Sequence, residues 1–150
     1  MDDPNLIAPC GYYCGVCPYL MAYKDKNEKL KSKLAKGLGI KIDDIKCEGC
    51  RSENPFFFCQ QCRLKKCVEK KDIESCAECD EFPCKKVERF PVKEFINRVK
   101  WDVNYRKQHG KEKWISKTIE LNTCPECNTL NHWQARVCKS CNNELKERYV

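Results

Sequence analysis

A small α+β fold organised around cysteine is what this 150-residue sequence predicts, and three observations predict it. Fifteen residues are Cys, one in ten, and without them the 41% hydrophobic content falls to about 31%, too little for burial alone to order the chain comfortably. Most of the Cys stand in C-x-x-C pairs, which bring two sulfurs to one ion from a single tight turn. Between and after the pairs, apolar residues recur with helical period. The expected organisation is an N-terminal multi-Cys domain over residues 1–90, a helical connector over 91–120 and a compact Cys module over 121–150.

Pro18 stands where a helix can begin, because its missing N–H costs nothing in the first turn. Leu20, Tyr23, Leu30, Leu34 and Leu38 then fall near one helical face, interrupted at Asn27, and Gly37 and Gly39 end the stripe. In the Cys-rich stretch from Cys47 to Cys84 the clear regular element is a short helix near Arg63–Lys71. Pro91 breaks the chain after Glu88 and Arg89. Val92, Ile96, Val99 and Val103 make a clean helical stripe with Trp101 and Tyr105 adjoining, Gly110 interrupts it, and Trp114, Ile115 and Ile119 mark a second helical piece.

The last module has the strongest motif. Cys124-Pro125-Glu126-Cys127, ten residues, then Cys138-Lys139-Ser140-Cys141 is the spacing of a zinc ribbon, four thiolates closing a tetrahedron at Zn–S distances of ~2.3 Å. The chain turns back just after each second Cys, where a left-handed residue is favoured. Asn128 and Asn142 stand at those places, and Asn tolerates that conformation. Leu130, Trp133 and Val137 are expected to cover the small hairpin between the knuckles.

Eleven further Cys precede the ribbon. Cys47 with Cys50, Cys59 with Cys62, and Cys76 with Cys79 form C-x-x-C pairs, and Cys67 and Cys84 follow close behind. One economical partition puts Cys47, Cys50, Cys62 and Cys67 on one ion, and draws Cys14 and Cys17 together with Cys of the 76–84 group onto a second. Cys10, Cys14 and Cys17 share the C-x3-C-x2-C spacing of radical S-adenosylmethionine enzymes. Val16, however, stands where those enzymes place an aromatic, and the chain is too short for their barrel. An iron–sulfur cluster at an N-terminal site is thus the alternative to zinc. About three zinc sites are expected. Each closed four-thiolate site carries about −2, so three would bring the formal charge of +7 to about +1.

The combination Cys10-Gly-Tyr-Tyr-Cys14-Gly-Val-Cys17-Pro18-Tyr19, then Cys47-Glu-Gly-Cys50-Arg51-Ser52, then Cys62-Arg-Leu-Lys-Lys-Cys67, then Glu74-Ser-Cys76-Ala-Glu-Cys79-Asp-Glu-Phe-Pro-Cys84 resembles domain-of-unknown-function family 3795 of bacteria and archaea, over about residues 6–90. The resemblance implies metal binding, with ligand roles for Cys10, Cys14, Cys17, Cys47, Cys50, Cys62, Cys67, Cys76, Cys79 and Cys84. It implies no catalytic residue. Cys59 lies outside the family pattern and reads as a spare thiol or an alternative ligand. Cys124, Cys127, Cys138 and Cys141 are ligands on their own spacing.

No catalytic constellation is found. His109 and His132 are the only His, Asp43 and Asp44 read as capping or loop acids, and no phosphate loop or dinucleotide fingerprint is present. The N-terminus lacks a basic segment and an apolar run, so the expected compartment is the reducing cytoplasm, with no membrane association. Residues 92–120 hold eight Lys and Arg against four acids, the one stretch that reads as a basic surface. The expected role is that of a metal-stabilised structural or interaction module with a protein partner. Two alternatives stand beside it: an iron–sulfur redox or accessory protein, and a nucleic-acid binder using residues 92–120 and the ribbon, with Trp101, Tyr105, Trp114 and Trp133 stacking on bases.

Overall fold

The computed structural model describes residues 3–149. The reading of Met1 and Asp2 as the start of a leaderless N-terminus lies outside them, as does Val150 at the end of the ribbon. Helix α1 runs Pro18–Lys24 with Pro18 in its first turn. Lys26 then takes a positive φ of 51°, and Asn27 opens α2, Glu28–Leu38, by accepting the Leu30 N–H at 3.1 Å. The Asn27 gap in the apolar stripe is therefore a joint between two helices. Gly37 stays inside α2, and Gly39 alone ends it in the left-handed conformation.

Two four-residue helices, α3 (Phe57–Gln60) and α5 (Lys85–Glu88), flank the expected α4, Arg63–Lys71. Helix α6, Lys93–His109, and helix α7, Lys111–Asn122, meet at Gly110 and pack on each other. Among the described residues, extended pairing is confined to three isolated bridges: Ile7 with Tyr13, Thr123 with Leu130, and Val137 with Glu144. The expected α+β class is thus corrected to a mostly helical fold. The physical reason is local. Each segment beside a knuckle is spent on the turn that aims its sulfurs, and too few residues remain to extend a ladder.

The core has three parts. The largest gathers Tyr12, Leu20, Ile45, Phe56, Leu64 and Val87 around the α6 stripe Ile96, Val99 and Val103. A second joins Ile7, Tyr13 and Val16 to Trp114 and Ile115 of α7. The third is the ribbon interior: Cys124, Ala135, Cys138 and Leu145. Leu130 and Trp133 turn towards the second cluster, whereas Val137, expected to cover the ribbon, is 49% exposed.

One polar network runs through the centre. Arg98 and Asp102 of α6 are 1% and 0% exposed and pair through two contacts, Nε–Oδ2 at 2.7 Å and Nη2–Oδ1 at 3.2 Å. The buried Trp114 indole N–H donates to Asp102 Oδ1 at 2.7 Å. The Arg98 guanidinium also lies over the rings of Tyr12, Trp101, Trp133 and, at 3.6 Å, Tyr149. One ion pair therefore fastens the N-terminal loop, α6, α7 and the ribbon together. A backbone bond from Trp133 N–H to Val16 O at 3.0 Å ties the ribbon directly to the first Cys turn.

Candidate metal centre

Each ribbon knuckle closes on itself. The Asn128 N–H donates to Cys124 O at 2.9 Å and the Asn142 N–H to Cys138 O at 3.0 Å. Both Asn are left-handed, with φ of 60° and 59°, as the turn chemistry predicts. The result is a quartet whose sulfurs all lie within 4.8 Å of one another. Cys124 Sγ stands 3.6 Å from Cys141 Sγ, and Cys127 Sγ 3.6 Å from Cys138 Sγ. The edge of a zinc tetrathiolate, taken from Zn–S bonds of ~2.3 Å, is about 3.8 Å. These four residues form a group that could hold a metal ion.

Two thiols of the quartet, Cys127 and Cys138, are eased towards charge, while hydrogen bonding to its Cys neighbours pushes Cys141 up to about 12. Burial opposes ionisation of Cys138, but the backbone N–H of Cys141, the Asn131 side chain and the backbone N–H of Ser140 outweigh it and bring the thiol down to about 6. Thr129, with Oγ1 at 3.2 Å, holds Cys127 below the usual thiol range. Asn131, 1% exposed, is the residue that sequence reasoning missed. Its Nδ2 lies 3.5 Å from Cys138 Sγ and 3.0 Å from Thr129 O, and its Oδ1 accepts the Lys139 N–H at 2.9 Å. It braces both knuckles from behind the sulfurs. Its only sequence signal is a polar residue midway between the two pairs.

Nine of the eleven N-terminal Cys fall into two groups, and neither group matches the expected partition. In the first, Cys14 Sγ lies 3.7 Å from Cys50 Sγ. Cys59 adjoins Cys50 closely enough to hydrogen-bond with it, and Cys17 faces Cys47 and Cys59. The knuckle that delivers Cys47 and Cys50 turns at Gly49, φ 115°, where a Cβ would stand 2.8 Å from Asn5 O. Lys65 Nζ holds the Cys50 carbonyl at 2.8 Å. Cys59 thus belongs with this group, although its spacing did not assign it.

In the second group Cys67 of α4 joins Cys76, Cys79 and Cys84 around one cavity of about 200 Å³. The Cys76–Glu78 turn is capped by Ser75 and held by a bond from Cys76 N–H to Pro9 O at 2.8 Å. Lys86 Nζ lies 3.4 Å from Cys67 Sγ and Lys71 Nζ 3.6 Å from Cys79 Sγ. Cys67 therefore sits with the 76–84 Cys and not with Cys47 and Cys50. Cys14 and Cys17 sit with Cys47 and Cys50 and not with the 76–84 group. Cys10 lies between the groups, its thiol raised by burial and by the nearby Cys50, Cys62 and Cys76; Cys62 also faces Cys76. Burial pushes Cys17 and Cys76 up to about 12. Cys50 rises through hydrogen bonding to Cys14, and Cys59 through hydrogen bonding to Cys50.

His109, at the end of α6, packs against Tyr105 with ring centroids 4.3 Å apart. Burial, with Arg148, Lys33 and Lys139 nearby, lowers His132 to about 4. Asp43 and Asp44 sit exposed in the Ile42–Asp44 turn. No helix among the described residues is long and apolar enough to cross a membrane.

Fold and site together define a small, mostly helical, Cys-rich protein with a four-thiol group able to hold a metal ion. The chain belongs to the family described as protein of unknown function (DUF3795), whose family model matches residues 6–89. All eleven N-terminal Cys fall in the matched stretch, and the ribbon lies beyond it. No curated protein and no solved structure matches the chain.

Proposed function

We propose that this protein is a cytoplasmic, metal-stabilised interaction module with a structural zinc in the ribbon and metal in the two N-terminal sulfur groups. The observation that carries the reading is the ribbon quartet, four sulfurs at single-ion spacing backed by Thr129 and Asn131. Four protein ligands fill a tetrahedral zinc, so no position is left for water or substrate. Cys14, Cys17, Cys47 and Cys50 with Cys59 form one N-terminal ligand pool, and Cys67, Cys76, Cys79 and Cys84 the other. Cys10 and Cys62 are held in reserve between them.

A protein partner is supported by Phe57 and Phe58, which meet Phe56 tilted and edge-on beside the first pool yet remain 38% and 56% exposed. The basic stretch offers less to nucleic acid than its composition suggests. Arg98 is buried, and Lys100, Arg106, Lys111 and Lys117 pair with Glu88, Glu74, Glu74 and Glu120. Trp114 is fully buried.

The test is elemental analysis of anaerobically purified full-length protein beside Cys138→Ser. The expected result is loss of about one zinc per chain in the variant, as one closed site requires. Wild-type protein without zinc, or a variant that keeps all its zinc, contradicts the assignment.

A further inference from the structure

We propose that the Cys67, Cys76, Cys79 and Cys84 cavity is built for an iron–sulfur cluster rather than a single ion. This rests on the reading of that group as a metal site and deepens it. The molecule contains its own standard of comparison. The ribbon sulfurs close to single-ion spacing, all within 4.8 Å. Among the described residues no three sulfurs of the second group are mutually that close, yet all four line one cavity of about 200 Å³. A single water needs only about 10–15 Å³ of such space, so the cavity beside these sulfurs has room for more than one small ion. A cluster places iron and inorganic sulfide between its thiolates, which therefore stand further apart than on one zinc, and four Cys complete its ligation.

The surroundings agree. Lys71 and Lys86 bring ammonium groups to two of the sulfurs, at 3.6 and 3.4 Å, where they would offset part of the negative charge of a thiolate-ligated cluster. Val68 and Phe82 add apolar side chains to the cavity lining. The first N-terminal pool has a different character: Cys14 and Cys50 touch at 3.7 Å, and a fifth sulfur, Cys59, crowds in.

Full-length protein, reconstituted anaerobically with ferrous iron and sulfide, tests this beside Cys84→Ser, Cys138→Ser and Lys86→Met. Wild type is expected to turn brown and to hold about four iron and four sulfide per chain, or about half that for a two-iron cluster. Cys84→Ser should lose them and keep the ribbon zinc, and Cys138→Ser should keep the iron. Lys86→Met, a surface change that leaves every ligand in place, should keep the cluster and lower its midpoint potential, because a positive charge beside a thiolate is removed. Colourless wild type that loses zinc with Cys84→Ser overturns the cluster while leaving a metal site. Wild type and Cys84→Ser identical in every metal overturn both.

Discussion

Asn128 and Asn142 show how much one backbone angle carries in this protein. Each holds a left-handed turn that aims the second sulfur of its knuckle. Gly adopts that angle freely, whereas a β-branched residue resists it at a cost of about 1–2 kcal/mol. Asn128→Gly is therefore expected to leave thermal stability nearly unchanged and Asn128→Val to lower it by that amount, as denaturant unfolding would report. Asp102 carries more. Asp102→Ala would strip the buried Arg98 charge of its carboxylate, leaving it the Tyr149 hydroxyl and aromatic faces, and the expected loss is about 3–5 kcal/mol. Equal stability of Asp102→Ala and wild type in urea would show that the pair is not the central fastening. His132 sets a pH window. Burial holds its folded value at about 4, below the ordinary 6.5 of histidine, so between those values the unfolded chain takes up a proton that the folded chain refuses. Stability is thus drawn down as pH falls through that window and is unaffected above it. Unfolding midpoints at pH 7 and at pH 4 should differ less in His132→Gln than in wild type. These residue-scale features were unevenly legible. The Asn turns follow from spacing. Arg98 and Asp102, four apart on a helix, look in sequence like any surface ion pair, since nothing local says that Tyr149 and Trp133 will close over them.

At the scale of elements, punctuation decided what could be read. Pro18, Gly39 and Gly110 each stop or start a helix by a local backbone effect and stood out in the sequence, whereas Asn27 read there as a gap in one stripe and is a joint between two helices. The partition of sulfurs did not, because it depends on which turns meet. Helix α4 carries Cys67 to the cavity lined by Cys76, Cys79 and Cys84, and no spacing rule encodes that placement. The approach of the Cys47–Cys50 knuckle to Asn5 is equally non-local. It makes Gly49 a sharp test: Gly49→Ala brings a Cβ to 2.8 Å from Asn5 O at a positive φ. The expected outcome is a clear loss of thermal stability together with weaker metal retention in the first pool. Unchanged metal content and unfolding midpoint would show that the knuckle is not held there. The expected strands failed for a related reason, since a bridge of one residue pair satisfies each knuckle and leaves nothing to extend.

The whole molecule is a set of sulfur groups bound together by a modest apolar core. The ribbon is bonded to the first Cys turn through Trp133 and Val16, and to α1 through Lys139 and Asp25 at 2.8 Å. Helix α6 carries its valines into the N-terminal core and its arginine into the aromatic cage. Order in one part therefore depends on order in the others. Structural zinc contributes about 10–16 kcal/mol per site in small peptides at neutral pH, against ~1.5 kcal/mol to order each residue, so on the proposed reading metal would decide whether this chain folds. The most direct test is circular dichroism and limited proteolysis of reduced protein before and after a strong chelator. Loss of the native spectrum and rapid cleavage between the Cys groups is the predicted result. A metal-free chain that keeps its spectrum and its resistance to protease would contradict the account.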